Sequence, residues 1–435
     1  MIALIDCNNF FVSCERLFRP DLENRPVVVL SSNDGCAVSR SNETKALGVP
    51  MGAPFFKYRQ LFRQQGVTHF SGNFELYGDI SQRIIRLLTG ITPRTEVYSV
   101  DESFLDLGQM AITDYTAWGR TVRRKLLREV GIPVSIGIAP TKTLAKLGAE
   151  QAKHDEGSGG VLDLASLTPA ARAVYLLGTP INDVWGVGRR LTPRLRAEGI
   201  HNALDLSRMP PRLAQQLMGV HGRQMVAELN GTRCYPLEPF GRIRQTVMHG
   251  RQFGEDTGDP LIIESAIASL TARAAGRLRA DHLLARGAAV RLATNRHRPG
   301  YQRLARTLSF VTPTADTGLI AGQLVAAVQA AYNPRVQFHR ADVLLFDLAS
   351  EHRLQTDLLG NIDLVGSEAA HSRLQAFDSI NQRYGQGVIR YAAEDLSAAW
   401  QPHRGHRSPR YTTSWEELPV IRIVPTKASE APAMT

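Results

Sequence analysis

The apolar pattern changes character along this 435-residue chain, and the change limits the folds that the chain can adopt. Up to about residue 165, strand-length apolar runs mix with amphipathic helical segments. From about 168 to 235 the apolar period is helical throughout, and residues 244–348 return to a mixed pattern. A chain of this length holds several cores rather than one. We therefore predict an α+β multidomain protein of three or four small domains.

The same periodicity predicts individual elements. In the first region we expect strands at 2–5, 26–30 and 132–139, and helices at 41–47, 77–88, 114–130 and 141–153. In the third region we expect strands at 245–248, 289–293, 305–310 and 342–346, and helices at 261–284 and 317–332. Beyond residue 349 the chain is polar and weakly patterned, and its last dozen residues are expected to be disordered.

The charge balance favours a polyanionic partner. Lysine and arginine outnumber aspartate and glutamate by 51 to 41, which gives a net charge of +10 and a pI near 9.6. Such an excess is typical of proteins that bind nucleic acid. Composition does not separate DNA from RNA or from an anionic membrane surface, and scattered solvated arginines are a further alternative.

Cysteine usage and hydropathy indicate the compartment. Cysteines at 7, 14, 36 and 234 form neither a Cys-x-x-Cys pair nor a zinc-type cluster, which predicts reduced thiols in a cytoplasmic protein. The sequence contains no apolar run of the roughly 20 residues that a membrane span needs. The first six residues, MIALID, lack a basic region and predict a strand rather than a secretory signal. We expect a cytoplasmic, nucleoid-associated protein with no membrane contact.

Three acidic residues stand at the ends of apolar strands. Asp6 follows the first strand, and Asp101 and Glu102 follow the run 97–100. Clustered carboxylates repel one another unless a cation neutralises them, and Mg²⁺ prefers oxygen ligands that it shares with phosphates. Two ions could activate an attacking hydroxyl and stabilise a departing pyrophosphate, with Asp6 and Asp101 bridging both and Glu102 completing the ion beside the hydroxyl. Solvated surface acids are the alternative, and Asp106 is assigned to the surface.

Six motifs, in the same order along the chain, resemble those of the Y-family DNA polymerases. Three of them carry the family resemblance, namely Asp6–Glu15 (DCNNFFVSCE), Tyr98–Asp106 (YSVDESFLD) and Gly137–Lys146 (GIAPTKTLAK). Three more narrow it to the UmuC branch, the catalytic subunits of bacterial DNA polymerase V, namely Asn33–Arg40 (NDGCAVSR), Asp183–Arg190 (DVWGVGRR) and Ser408–Thr413 (SPRYTT). The resemblance runs from residue 1 to about 415.

The resemblance implies a right-hand polymerase that carries out error-prone translesion synthesis in the SOS response to DNA damage. Its parts would be a palm at 1–30 and 78–166, fingers at 31–77, a helical thumb at 167–235, a linker at 236–243, a little finger at 244–348 and a C-terminal region at 349–435. The expected substrates are primer-template DNA and a dNTP, and the expected cofactor is a pair of Mg²⁺ ions.

The resemblance also assigns residues around the incoming nucleotide. Phe11 takes the sugar-gate position, where a bulky ring leaves no room for a 2′-hydroxyl. Lys45 and Lys153 take triphosphate-contacting positions, with Arg40 as a further cation; Lys45 acts as a point charge where many relatives have Arg. Four small residues map to a lid over the template base and would enclose it loosely, which lowers discrimination: Cys36, Ala37, Val38 and Ser39. Without the resemblance, Phe11 would be read as a core ring and Lys45 as a solvated helix residue.

Two further regions are expected to hold DNA. Gly186 and Gly188 precede a helical run in the manner of a helix-hairpin-helix, whose glycines let the backbone approach a phosphate. The segment 242–306 is rich in arginine, and Arg244, Arg251 and Arg291 are candidates for contacts to the DNA backbone. About half of the arginines in that segment would be ordinary solvated residues.

Partner contacts are expected near and beyond the little finger. Gln355, Leu358 and Leu359 resemble the short peptide by which bacterial polymerases dock on the sliding clamp. Family likeness further implies a processed UmuD-type dimer and a RecA filament as partners.

Two rival functions stay open on the sequence alone. One is a DNA-binding scaffold on the same fold that has no catalytic activity, against which the intact acidic triad argues. The other is a different two-metal phosphoryl-transfer enzyme on a palm-like fold, such as a nucleotide cyclase. Template dependence of the product separates the second rival from a polymerase.

Overall fold

The computed structural model describes residues 1–238, 244–351, 364–385, 387–394, 400 and 404–420, with the backbone alone for 364–368. The chain forms two compact units. Unit one comprises Met1–Ser31, Gly35–Arg242 and the stretch from His406, and unit two comprises Ser32–Asp34 and Ile243–Gly405. The boundary between them falls at the end of the predicted linker.

Unit one contains both strands and helices as far as residue 163, and helices alone from there to residue 229. Its strands are β1 (Ile2–Cys7), β2 (Val27–Leu30), β3 (Ala37–Arg40), β4 (Thr68–Ser71), β5 (Thr95–Val97), β6 (Glu102–Asp106), β7 (Val134–Ala139) and β8 (Val161–Asp163). Its helices are α1 (Phe10–Arg16), α2 (Asn42–Ala46), α3 (Phe55–Gln64), α4 (Phe74–Ile91), α5 (Tyr115–Glu129), α6 (Lys142–His154), α7 (Pro169–Leu177), α8 (Leu191–Ala197), α9 (Ala203–Ser207), α10 (Pro211–Met218) and α11 (Val220–Leu229).

The larger sheet of unit one has the order β5-β6-β1-β7-β8, with β1 at its centre and antiparallel to β6 and β7. All six residues of β1 are buried, as its unbroken apolar run predicts. Helix α6 packs closely on β7, because a Cβ at Gly137 would lie 2.0 Å from the carbonyl oxygen of Ala145. Glycine at this position therefore lets α6 approach the central strands.

The smaller sheet of unit one has the order β3-β2-β4. Strand β2 pairs antiparallel with β3 and parallel with β4. The predicted boundary between palm and fingers falls directly after β2, and both pairing partners of β2 lie in the range 31–77 that is predicted as fingers. The apolar run 26–30 predicts a buried strand correctly, but an apolar run carries no information about its pairing partners.

Unit two is a four-stranded antiparallel sheet with helices. Its elements are β9 (Thr246–Thr257), α12 (Pro260–Ala280), β10 (Leu283–Ala293), β11 (Arg303–Thr314), α13 (Thr317–Gln329), β12 (Phe338–Ser350) and α14 (Leu364–Tyr384). The sheet order is β11-β10-β12-β9, and α12 and α13 share the core with it. The strands run beyond their predicted apolar segments because pairing extends through the flanking polar residues.

Helix α14 corrects the expectation that the chain is weakly patterned beyond residue 349. Leu374 and Asn381 are both buried and lie two turns apart on the same side of the helix. One of these two buried positions is therefore polar. The Asn381 side chain bonds the backbone of a following loop, accepting from Gly387 N at 3.1 Å and Ile389 N at 3.0 Å. A buried asparagine replaces an apolar residue here, and the helical period is therefore hard to see in the sequence.

Candidate active site

The pairing of β1 with β6 brings the three predicted catalytic acids together. Asp6 lies directly opposite Glu102 in the antiparallel register. The backbone N–H of Cys7 donates to the carbonyl oxygen of Asp101 at 2.9 Å, which fixes the bend before β6 beside the end of β1. Acids that are about a hundred residues apart in the sequence thus meet at one end of the central strands.

Each of the three carboxylates has a donor beside it. Lys153 Nζ donates to Asp6 Oδ2 at 2.9 Å, and Lys146 Nζ donates to Glu102 Oε1. Ser99 Oγ donates to Asp101 Oδ1 at 2.5 Å. The amines neutralise part of the charge that the strand pairing concentrates, as clustered carboxylates require.

Electrostatics at Asp6 favour an added positive charge. Burial above all, with the charges of Glu102 and Asp101 adding to it and Lys153 opposing it, raises the pKa of Asp6 to about 7. Lys153 is in turn held charged, because Asp6 and Glu150 outweigh its burial and raise its pKa. A divalent cation would relieve the same repulsion more strongly than one ammonium group.

The acids fit Mg²⁺ by donor type, although they do not form a preset cage. Within the described ranges no group of three or more His, Cys, Asp and Glu side chains is arranged to hold a metal ion. The donors are nevertheless hard carboxylate oxygens at adjoining strand ends. Because the competing ammonium groups sit on long lysine stems, a small side-chain movement frees Asp6 and Glu102 for an ion.

Helix α6 contributes a row of lysines, two of which the sequence analysis missed. Lys142 Nζ lies 2.5 Å from Glu96 Oε2 in a buried pair, and Lys146 reaches Glu102. Lys153, which was predicted, reaches Asp6. The spacing of 142, 146 and 153 places them along one helical face, so this periodicity, following the strand 134–139, is the signal that would have found them.

Phe11 is the second residue of α1 and follows Asp6 by five positions. Its ring stacks on Tyr77 with 4.5 Å between centroids and 15° between planes, and it meets Phe74 edge-on at 5.8 Å. Phe10 is buried, as expected of a packing residue. Asn9 has a left-handed φ of 47°, which turns the chain sharply from β1 into α1. Phe11 is therefore held by aromatic contacts while part of its ring stays accessible.

The predicted triphosphate residues form one cationic group. Burial, followed by the positive charges of Arg40 and Lys153, lowers the pKa of Lys45. Arg40 Nη1 donates to the carbonyl oxygen of Val49 at 2.5 Å, and its buried Nε has no partner among the residues that the structure describes. Three cations within electrostatic reach of one another favour an anionic ligand.

The predicted lid divides into two faces. Ala37 and Ser39 are buried, the latter accepting a hydrogen bond from Val12 N at 3.4 Å, and their side chains point into the protein. Side chains alternate along a strand, so the part-exposed Cys36 and Val38 remain as the lid candidates. The prediction is therefore corrected for Ala37 and Ser39, whose side chains serve packing.

Asp106 is not a surface residue, which corrects its assignment. Its side chain is 5% exposed and accepts a hydrogen bond from Gly108 N at 2.9 Å. Arg233 Nη1 lies 3.5 Å away and Arg94 Nη2 3.8 Å away, and the amino group of Met1 is also close. Burial alone would raise the pKa of Asp106, but these partners hold it below its usual value. Asp106 ties together the start of the chain and two arginines.

Gly186 and Gly188, the glycines of the predicted helix-hairpin-helix, have different structural reasons for being glycine. Gly186 has a φ of +91°, which favours glycine, whereas a Cβ at Gly188 would meet no atom within 4 Å. The space beside Gly188 would let a phosphate approach the backbone. Trp185, between α7 and α8, donates from Nε1 to the hydroxyl of Tyr98 at 3.0 Å.

The predicted DNA-binding arginines Arg291 and Arg244 are paired with carboxylates. Arg291 donates to Asp342 Oδ2 at 2.5 Å, and Arg244 Nε lies 3.0 Å from Asp281 Oδ2. These ion pairs offset part of the positive charge that the composition suggests for unit two. Arg251 stays a prediction. The clamp-docking residues Gln355, Leu358 and Leu359 lie outside the described residues.

Comparisons with known proteins decide the family. Residues 5–150 match the impB/mucB/samB family, and residues 244–358 match the C-terminal domain of that family. The chain is 38% identical to protein UmuC of Salmonella typhimurium over 424 residues, which cover 96% of this chain and 99% of that protein. The chain belongs to the UmuC branch of the Y-family translesion DNA polymerases.

Other relatives of this UmuC-branch polymerase agree. Protein SamB of Salmonella typhimurium is 35% identical, with 97% of this chain and 100% of that protein covered. A DNA polymerase IV of Moorella thermoacetica is 30% identical, with 90% and 95% covered. Among solved structures, a Y-family DNA polymerase chimera superposes with a TM-score of 0.64 at 21% identity, covering 80% of this chain and 100% of that one. The likeness confirms the predicted polymerase fold.

A third match covers the C-terminal part of the chain. Residues 374–421 match a domain of unknown function, DUF4113. The match includes much of α14 and the motif Ser408–Thr413. Among the described residues, no helix combines the length and the hydrophobicity that a membrane span needs.

Proposed function

We propose that this chain extends primers on damaged DNA templates by two-metal-ion nucleotidyl transfer, with low accuracy, as part of the SOS response. The observation that carries the proposal is the β1–β6 register, which sets Asp6 opposite Glu102 and beside Asp101. Family membership supplies the substrate class, because the relatives include proteins named DNA polymerase IV. The same relatives support a place in the bacterial cytoplasm, at the nucleoid.

Asp6, Asp101 and Glu102 are the residues that would hold two Mg²⁺ ions. Bound there, the ions supply activation of the primer 3′-hydroxyl and stabilisation of the departing pyrophosphate. Lys146 and Lys153 would offset part of the repulsion between the acids until the substrate arrives. Lys153 can then exchange its contact with Asp6 for a phosphate oxygen of the dNTP, since an ammonium group on a flexible stem accepts either anion.

The remaining assignments follow from position and charge. Phe11 would stand beneath the sugar of the incoming nucleotide and exclude a 2′-hydroxyl by its bulk. Lys45 and Arg40 would add charge for the triphosphate, and the Nε of Arg40, which has no partner within the described residues, offers a donor. Cys36 and Val38 would cover the nascent base pair with little bulk, so that misshapen pairs lose little transition-state binding.

DNA and protein partners complete the proposal. The primer-template duplex would be held through its phosphates by the backbone at Gly186 and Gly188 and by basic residues of unit two, including Arg244, Arg251 and Arg291. A UmuD-type dimer, a RecA filament and the sliding clamp are proposed as partners because the relatives include protein UmuC.

Primer extension tests the metal site. Asp101→Ala should lower the extension rate by about 10³-fold, because one ligand contributes several kcal/mol of transition-state stabilisation. Glu23→Ala, which removes an exposed acid outside the β1–β6 pair, should leave extension unchanged. Equal extension by the native chain and Asp101→Ala would contradict the proposal. A product that forms without template would favour a nucleotide cyclase instead.

A further inference from the structure

A short segment near the C-terminal end lies against unit one. This segment, His406–Tyr411, is called the strap here. His406 and Ser71 exchange two hydrogen bonds of 3.0 Å, one from Ser71 N to the His406 carbonyl and one from His406 N to Ser71 Oγ. A β-bridge pairs Arg407 with Ser71, the last residue of β4. The ring of Tyr411 stacks on that of Phe18 with 4.4 Å between their centroids. The strap is thus bound along the fingers and the end of α1.

Ser408 is the residue of the strap that forms hydrogen bonds with buried side chains of unit one. Its side chain is buried, and its Oγ accepts from Asn73 Nδ2 at 2.9 Å. The same Oγ donates to Glu15 Oε1 at 3.0 Å. Asn73 also donates to the carbonyl of Pro409 at 3.1 Å. The strap therefore supplies hydrogen-bond partners to two residues that are themselves fully buried, Glu15 and Asn73.

Glu15 connects the strap with the sugar-gate ring. Glu15 Oε1 accepts from the hydroxyl of Tyr77 at 2.6 Å, and the ring of Tyr77 is the one that stacks on Phe11. Glu15 Oε2 has no partner within the described ranges, so the carboxylate depends on two hydroxyl donors. A buried carboxylate that loses one of few donors shifts to recover another. Such a shift would move Tyr77.

We infer that Ser408 is a positioning residue for sugar selection, acting through Glu15 and Tyr77 on the ring of Phe11. The inference rests on the proposed gate function of Phe11. The strap lies within the stretch that matches DUF4113. The link runs through three side-chain contacts of 3.0, 2.6 and 4.5 Å within unit one.

The ratio of kcat/KM for dCTP to that for rCTP tests the link, measured on the full chain with primer-template DNA and Mg²⁺. Ser408→Ala should lower this ratio about fivefold, since it removes one donor to a buried carboxylate and part of that loss reaches the ring. Ser408→Thr keeps the hydroxyl and should restore the ratio. Tyr411→Phe keeps the stack on Phe18 and should leave the ratio unchanged.

A double-mutant cycle with Phe11→Ala separates the strap from the gate. Phe11→Ala should lower the ratio strongly, and adding Ser408→Ala to it should change nothing further, because the strap acts through the ring. An unchanged ratio in Ser408→Ala, or an equal loss in both backgrounds, overturns the strap inference while leaving the gate intact. An unchanged ratio in Phe11→Ala overturns the gate and the inference together.

A second variant keeps the test decisive if Ser408→Ala does not fold. Tyr77→Phe removes the hydroxyl that donates to Glu15 and keeps the ring that stacks on Phe11. It should lower the same ratio while primer extension with dCTP persists. A folded Tyr77→Phe variant whose dCTP-to-rCTP ratio equals that of the native chain contradicts the inference.

Discussion

Helix α6 carries two lysine–glutamate pairs one turn apart that differ in how firmly they are held. Lys142 pairs with Glu96, and their side chains are 4% and 9% exposed. Lys146 pairs with Glu102, and their side chains are 25% and 15% exposed. Each ammonium group also lies near an aromatic ring, Phe104 at 5.2 Å for Lys142 and Tyr98 at 5.0 Å for Lys146.

The surroundings of the two pairs explain the difference. Lys142 also donates to the carbonyl of Pro236 at 2.8 Å, and Glu96 also accepts from Glu238 N at 2.7 Å. Each member of the first pair therefore has a second, backbone partner that holds it in place. Among the described residues, the side chains of the second pair have only each other and the ring of Tyr98 as partners, and they are partly exposed at the acidic site. One helix thus supplies both a fixed ion pair and an exchangeable one.

The largest effect is expected from breaking the fixed pair. Lys142→Ala should lower the free energy of unfolding of unit one by about 3–5 kcal/mol, because it leaves Glu96 buried and unpaired. Denaturant titration followed by a probe in unit one measures this. Lys125→Ala removes an exposed i,i+4 pair on α5 and should cost less than about 1 kcal/mol. A loss in Lys142→Ala as small as that of the control would break the comparison.

A smaller effect, on function rather than stability, is expected at the exchangeable pair. In Lys146→Met the ammonium group no longer competes for Glu102, so the Mg²⁺ concentration for half-maximal primer extension should fall by up to about fivefold. Titration of Mg²⁺ in a primer-extension assay measures the shift. Lys125→Met should leave the Mg²⁺ requirement as it is. A requirement that rises, or does not move, would mean that Lys146 does not compete with the metal.

The sequence predicts the first strand of the acidic site well, but it misplaces the second strand and misses the environment of both. The apolar run before Asp6 lies in β1, whereas residues 98–101 form the bend between β5 and β6, so Glu102 begins a strand instead of following one. Burial and partners depend on elements that are remote in the sequence. Asp106 reads as a surface acid from its neighbours, yet the start of the chain and Arg233 enclose it.

The strap shows the same limit more clearly. Ser408–Thr413 is recognisable as a family motif, but nothing in the motif indicates that Ser408 bonds Glu15, which lies 393 positions earlier. Likewise, alternation along β3 turns Ala37 and Ser39 inward, a fact that depends on strand register rather than on residue type. Local patterns predict elements, and contacts between distant elements require the folded chain.

Glu15 extends the comparison to a buried acid that has no lysine partner among the described residues. Burial raises its pKa, and the hydrogen bonds from Tyr77 and Ser408 and the charge of Arg19 offset the rise in part. The folded state then holds the Glu15 proton more tightly than the unfolded state does. By linkage, stability falls as the pH rises above the ordinary carboxyl pKa of about 4.5 and through the raised value. A neutral side chain at this position would cause no such loss of stability as the pH rises.

The smallest effect is therefore expected from Glu15→Gln, which should remove this contribution to the pH dependence of the free energy of unfolding. Relative to the native chain, the variant should gain stability as the pH rises from about 4.5 towards neutrality, by less than about 1 kcal/mol in all. Urea midpoints across that range measure the gain, and Glu23→Gln, an exposed acid, should run parallel to the native chain. A gain that appears instead as the pH falls would mean that Glu15 is held as a stabilised carboxylate, and the raised pKa of this buried acid would be contradicted.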